Sequence, residues 1–189
     1  MQEKIILGLI ARKQAGKDTV AEYLVENYNY TKIAFADTLR EVAYGTNPLV
    51  NADPPLYYAD LIDTIGYEAA KSDYPEFRRF LQNLGTNGIR KVDPDFWVNQ
   101  TIKKIQNSPG HVVITDVRFP NELEVVQQLN GFTARITRPG FSDVPAEHES
   151  ESALDNAEAD YNVMNVRDTN YLLTRADILH KSILFDKRH

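Results

Sequence analysis

Residues 5–28 read Ile5-Ile6-Leu7-Gly8-Leu9-Ile10-Ala11-Arg12-Lys13-Gln14-Ala15-Gly16-Lys17-Asp18-Thr19-Val20-Ala21-Glu22-Tyr23-Leu24-Val25-Glu26-Asn27-Tyr28, and three textures follow one another within them. Ile5–Ile10 is a short apolar run of the kind that forms a parallel strand buried on both faces. Ala11–Thr19 is a loop of small and polar residues. From Lys17 onward Val20, Ala21, Leu24, Val25 and Tyr28 recur at helical spacing. A strand, a small-residue loop and a helix in that order are the setting of a phosphate-binding loop, in which backbone N–H groups and the open helix N-terminus converge on phosphate oxygens. Gly16 lets the backbone approach, and Lys17 reaches the β- and γ-phosphates as a point charge. The consensus G-x-x-x-x-G-K-[ST] is departed from twice: Ala11 stands at the first Gly, and Asp18 at the metal-binding hydroxyl, with Thr19 one place later. Ala11 is acceptable if its backbone avoids the glycine-only region. Either Thr19 or Asp18, acting through water, serves the metal.

Working outward, 189 residues with 42% hydrophobic content suit one domain with modest insertions and a proper core. A formal charge of −6 argues against a general nucleic-acid coat, and the absence of cysteine excludes a disulfide framework or a thiolate metal site. The N-terminus runs straight into the first strand, and no apolar run approaches membrane length, so a cytoplasmic protein without membrane partners is expected.

Thr31–Phe35 reads as a second strand, followed by Asp37 and Arg40. Asp37 either caps the next helix or, like Arg40, faces a ligand at the strand's carboxyl end. Tyr44–Asp73, with Pro48, Pro54 and Pro55, is too long for a simple connection and reads as a small subdomain with a helix over about 59–72. Pro75 opens a helix over 76–84, closed by Gly85. Arg78, Arg79 and Gln82 lie on its neighbouring faces, with Thr86 and Arg90 in the turn after it. These arginines are ordinary surface cations or a phosphate site, since guanidinium forks match phosphate geometry. Asp93-Pro94 opens another helix, in which Trp97 is either core or a stacking platform for a base.

His111–Asp116 is a third apolar strand ending in a carboxylate placed to hold Mg²⁺ or its waters, with Arg118 and Glu122 at the same edge. Leu123, Val126 and Leu129 make a helix face ended by Asn130-Gly131. Phe132–Thr137 is the fourth strand. The polar stretch after Arg138, which contains His148, is either a solvated loop or a lid. Tyr161–Val166 is the fifth strand, and Leu172, Ala176, Leu179 and Ile183 line a closing helix.

Taken together, Gly16-Lys17-Asp18-Thr19, Phe35-Ala36-Asp37-Thr38-Leu39-Arg40, Arg79 to Thr86, Asp95-Phe96-Trp97 and Thr115 to Glu122 make this chain resemble bacteriophage deoxynucleoside monophosphate kinases, in the nucleoside-monophosphate-kinase-like branch of P-loop proteins. The segment from His148 to Asn156 is also similar to animal-type phosphomevalonate kinases. The resemblance implies an α/β P-loop fold: a five-stranded parallel sheet of order 2-3-1-4-5 with helices on both faces. It also implies a core of 1–36, 108–138 and 157–189, a helical acceptor-binding insertion at 37–107 and a lid at 139–156.

The implied reaction is Mg²⁺-dependent transfer of the ATP γ-phosphoryl group to a deoxynucleoside 5′-monophosphate. By position, Lys13, Gln14, Ala15, Gly16, Lys17, Asp18 and Thr19 would hold ATP, with Arg138 and Asn165 beside its adenine, and Thr19 and Asp116 would manage Mg²⁺. Asp37, Arg40, Arg78, Arg79, Gln82, Thr86, Arg90, Trp97, Arg118 and Glu122 would serve the acceptor, with Lys17, Arg118, Asp37 and Arg79 the catalytic candidates. Partners would be the two small substrates, with a homodimer open and no nucleic acid; a phage enzyme would work in the host cytoplasm. Two rival readings stand beside this one: a kinase of another phosphorylated metabolite (phosphomevalonate or dephospho-coenzyme A), and a non-catalytic nucleotide-binding or ATPase switch.

Overall fold

The structure is a computed structural model and describes residues 4–140 and 152–187. The chain divides into two compact units, residues 1–34 with 102–189, and 35–101.

The first unit is built on a five-stranded sheet. Its strands are β1 (Ile6–Ala11), β2 (Tyr30–Ile33), β5 (His111–Ile114), β6 (Phe132–Thr137) and β7 (Tyr161–Met164), in the spatial order β2-β5-β1-β6-β7 and all parallel. Counted within this sheet, that is the expected order 2-3-1-4-5. Burial explains the composition of each strand. Central β1 and β5 are covered on both faces and almost wholly apolar, whereas edge strands β2 and β7 keep exposed positions such as Lys32 and Asn162.

One face packs helix α1 (Lys17–Tyr28) and the closing helix α9 (Thr169–Asp186) through Val20, Ala21, Leu24, Leu172, Ala176, Leu179 and Ile183. The opposite face carries α8 (Pro120–Gln128), which buries Val125 and Val126. Asn130, at φ 51°, and the Gly131 N–H to the Val126 carbonyl at 2.9 Å end α8 where the sequence predicts.

Two histidines are sealed under α1 and α9. His111 accepts the Ile5 N–H on Nδ1 at 3.0 Å, and His180 lies 3.1 Å from the Tyr30 hydroxyl and stacks on Tyr28 at 3.8 Å. Burial pushes the His180 imidazole down to about 4, helped by His111 and Lys181 and opposed by Asp177; burial and Lys187 lower His111 as well. Because the unfolded ring titrates near 6.5, the unfolded state binds more protons between pH 6.5 and 4. Stability is therefore full above pH 6.5 and falls as the pH drops toward 4, by roughly 2–3 kcal/mol for His180. Urea unfolding across that range measures the slope, and His180→Gln should flatten it; a variant with the parent slope would show that other groups set it.

In the second unit, α2 (Ala36–Thr46) is followed by an antiparallel hairpin, β3 (Leu49–Ala52) with β4 (Pro55–Tyr57), and then by α3 (Tyr58–Ile65) and α4 (Tyr67–Asp73). The helix expected over 59–72 is thus two, because Gly66 takes φ 83° with extended ψ and ends α3. Tyr58 and Phe77 stack at 4.5 Å in a core shared with Ala43, Leu61 and Ala70. Asn47 ties the hairpin to α3, accepting the Ala59 N–H at 2.7 Å.

Helix α5 (Pro75–Gln82) opens on Pro75 as predicted, but Gly85 does not close it. The run continues as a π-helical segment, Asn83–Ile89, and then α6 (Arg90–Val92), so Thr86 and Arg90 sit on a helix rather than in a turn. The Gly85 carbonyl, expected to be a helix terminus, accepts both the Arg90 N–H and the Trp97 indole at 3.1 Å. Asp93 accepts the Asp95 N–H at 3.0 Å ahead of α7 (Phe96–Asn107). Among the described residues no helix is long and apolar enough to cross a membrane.

Candidate active site

The phosphate loop springs from the carboxyl end of central β1. Gln14, at φ 63°, and Gly16, at φ 103° and ψ 14°, turn the backbone to the left-handed side immediately before α1 begins at Lys17. Gly16 is obligatory twice over. An L side chain is strained at that φ, and a Cβ would stand 2.7 Å from Leu172 Cδ2 and 2.9 Å from Asn165 Nδ2. Ala11 is tolerated for the opposite reason: it is the last residue of β1, in extended backbone that any residue adopts.

The loop is held from outside as well. Asn165 donates to the Ala15 carbonyl at 3.0 Å and Arg138 to that of Gln14 at 3.4 Å. Both residues, which the resemblance sets beside adenine, contact the loop backbone in this structure. Lys13 and Gln14 are exposed, and Thr19 is half-buried in the first turn of α1.

Lys17 and Asp18 form an ion pair at 2.7 Å, and Lys32 of β2 approaches the other Asp18 oxygen at 3.3 Å. Burial works against the Asp18 charge, but the hydrogen bond and charge of Lys17, joined by Lys32, outweigh it and hold the carboxyl below its usual range.

The end of β5 lies at the same sheet edge. The Thr115 N–H donates to Ile33 at 3.0 Å and the Val117 N–H to Leu9 at 3.3 Å, which seats Asp116 between strand ends β2 and β1. Glu122 is only 2% exposed, and one of its oxygens accepts the N–H groups of Arg118 at 2.8 Å and Phe119 at 3.1 Å. Those amides offset the cost of burying the carboxylate so deeply. Glu122, grouped with the acceptor contacts in the sequence, shapes the loop that presents Arg118.

Magnesium keeps several waters and takes phosphate oxygens, so it needs few protein ligands. The Thr19 hydroxyl and the single Asp116 carboxylate fit such an ion, and among the described residues no cluster of three His, Asp or Glu offers a protein-only cage.

In the second unit, Asp37 does not cap α2, which begins one residue earlier. Its carboxylate pairs instead with Arg40 at 3.2 Å, and the Arg40 guanidinium lies 4.9 Å over the Tyr67 ring. Arg78, Gln82, Thr86 and Arg90 are all half-buried and recur every four residues along one continuous helical run. On an α-helix such a series drifts by about 40° per step, and the wider π turn offsets that drift. Arg79 lies off this line, 69% exposed and 3.6 Å from Glu76. Trp97 is 3% exposed, in the core position rather than on an open face. The polar stretch read as a lid, with His148, falls largely in 141–151, outside the described residues.

A parallel sheet of this order, with a lysine-bearing glycine loop at its central strand and an acidic strand end beside it, defines a P-loop nucleotide-binding fold. Solved structures share the fold. Dephospho-CoA kinase from Campylobacter jejuni superposes with a TM-score of 0.51 at 14% identity, over 95% of this chain and 97% of that one. Shikimate kinase from Acinetobacter baumannii, in complex with shikimate, gives 0.52 at 12% identity over 98% and 96%. The family is settled by sequence: residues 58–175 match the model of deoxynucleotide monophosphate kinase, and the chain belongs to that family. It is therefore an ATP-dependent nucleotide kinase.

Viral relatives agree. A protein of Acanthamoeba polyphaga mimivirus, provisionally given the same kinase name, is 26% identical over 166 residues, 79% of this chain and 82% of its own length. Protein ORF77 of Ictalurid herpesvirus 1 is 32% identical over 155 residues, 79% of this chain but 58% of its own length. The family attribution holds, while its restriction to bacteriophage does not follow from these relatives.

Proposed function

We propose that the protein transfers the γ-phosphoryl group of ATP to deoxynucleoside 5′-monophosphates, releasing the deoxynucleoside diphosphate and ADP. The observation that carries this reading is where the family match falls. It begins at residue 58, beyond the phosphate loop, and takes in the Arg78–Arg90 line and Arg118. The match thus extends well beyond the generic nucleotide loop and includes the arginines proposed for the acceptor.

The roles follow from charge. An acceptor phosphate oxygen is already anionic, so no general base is required; positioning and neutralisation of spreading charge supply most of the rate. The loop amides and Lys17 take the β- and γ-phosphates. Thr19 and Asp116 would hold Mg²⁺, which would supply charge neutralisation at the phosphate oxygens. Candidates for the acceptor dianion are, in the sheet unit, Arg118 on the turn shaped by Glu122 and, taken separately in the second unit, the half-buried Arg78 and Arg90, each a forked donor. Gln82 and Thr86, between those two arginines on the same line, suit the sugar or base. Asp37 orients Arg40, and the exposed Arg79 serves as an auxiliary cation. Deoxynucleotide precursors of DNA would be the products, and the two small substrates the only partners the reaction needs.

Coupled ADP-release assays over a panel of dNMPs, NMPs, phosphomevalonate and dephospho-coenzyme A test the reading. Turnover should depend on the acceptor and be fastest with one or more dNMPs. Equal ADP release without any acceptor would make the protein an ATPase. A preference for phosphomevalonate or dephospho-coenzyme A would transfer it to another metabolite.

A further inference from the structure

The phosphate loop is tied at its entrance by a contact that no motif announces. Arg12, the first residue after β1, meets Asp155 fork to fork, Nε to Oδ1 at 3.3 Å and Nη2 to Oδ2 at 2.5 Å. Asp155 belongs to a tight turn in which its own N–H donates to Ser152 at 3.0 Å and the Ala157 N–H donates to Leu154 at 3.1 Å. That turn is bolted down. Arg135 donates to the Leu154 and Ala157 carbonyls, each at 2.7 Å, and the Leu154 side chain is 5% exposed. Arg135 lies in β6 and pairs in register with Ile10 of β1, two residues before Arg12. The carboxylate is thus fixed to the same strand pair from which the loop emerges.

An arginine at the mouth of a phosphate site has two possible uses, contact with phosphate or support of the loop. A planar fork matched to a carboxylate held by a rigid turn favours support. We propose that Arg12 and Asp155 form a positioning pair for the phosphate loop, so that Asp155, an anion, strengthens binding of the anionic nucleotide triphosphate. The sign separates this from simple electrostatics: deleting a negative charge beside an anion site ordinarily tightens anion binding. It also separates it from a switch in which ATP draws Arg12 away from Asp155, because there too the loss of Asp155 would free the arginine and tighten binding.

The inference rests on ATP occupying this loop, so the wild-type protein is the control. Calorimetric titration with a non-hydrolysable ATP analogue is compared for wild type, Asp155→Asn, Asp155→Ala, Arg12→Gln and the Asp155→Asn/Arg12→Gln double variant. Either Asp155 variant should weaken binding roughly three- to fivefold, the upper end for an exposed but forked pair. The double variant should bind no more weakly than Arg12→Gln alone. Ligand-free melting temperatures and the acceptor KM at saturating ATP should stay near wild type. Unchanged or tighter binding by both Asp155 variants overturns the pair while leaving the kinase reading intact. A wild-type protein that binds no ATP analogue overturns both.

Discussion

Lys17→Ala should lower kcat by on the order of 10²-fold or more and leave the fold standing. The lysine's charge is needed where negative charge spreads over the transferring phosphoryl group. Its partner in the ligand-free protein is Asp18, which retains Lys32 at 3.3 Å when Lys17 is removed. No carboxylate is stranded, so the melting temperature should move by little. Single-turnover transfer and thermal unfolding measured on the same preparation separate the two effects. A folded Lys17→Ala enzyme with near-normal kcat would show that the loop does not hold the donor phosphates.

Gly16→Ala is the second large effect, and it should strike stability and nucleotide binding together. The left-handed backbone at φ 103° costs an L residue roughly 1–3 kcal/mol. The new Cβ, less than 3 Å from Leu172 and Asn165, adds an overpacking cost of similar size. Leu172 lies on α9 in the core shared with α1 and the sheet, and Asn165 holds the Ala15 carbonyl, so neither can give way freely. A loss on the order of 3 kcal/mol in urea unfolding is expected, with ATP affinity falling because displaced loop amides no longer converge. If Gly16→Ala keeps wild-type stability and wild-type ATP affinity, the left-handed turn is not what builds the cradle.

What the sequence made legible follows from how local each signal is. The central strands β1 and β5 are short apolar runs, and burial on both faces leaves that mark in the residue types themselves. The α9 face of Leu172, Ala176, Leu179 and Ile183 is buried in full for the same reason. The hairpin of Leu49–Ala52 and Pro55–Tyr57 escaped because strands of four and three residues carry no readable alternation. Asp37 looked like a cap because side-chain type alone does not tell a first-turn residue from the one before it. The contacts of Asn165 and of the Arg12–Asp155 pair were illegible in a stronger sense. Each is set by the folded loop or by chain reversal, up to 150 residues away for Asn165 with Ala15, and spacing along the chain is silent about both.

The π-helical segment of Asn83–Ile89 has a consequence of its own. A π turn holds one residue more than the α turn it replaces, and here the extra residue is absorbed where the Arg90 N–H reaches back to Gly85. Removing one residue from this stretch would not break the helix; it would let it relax to regular α geometry. Because the π turn has already absorbed that residue, everything downstream would keep its phase: Arg90 would follow Arg78 by eleven α-helical residues and Gln82 by seven, within about 20° of each. The segment works as a phase-keeper: it takes up a single extra residue, so the row of side chains on either side of it goes on facing one way.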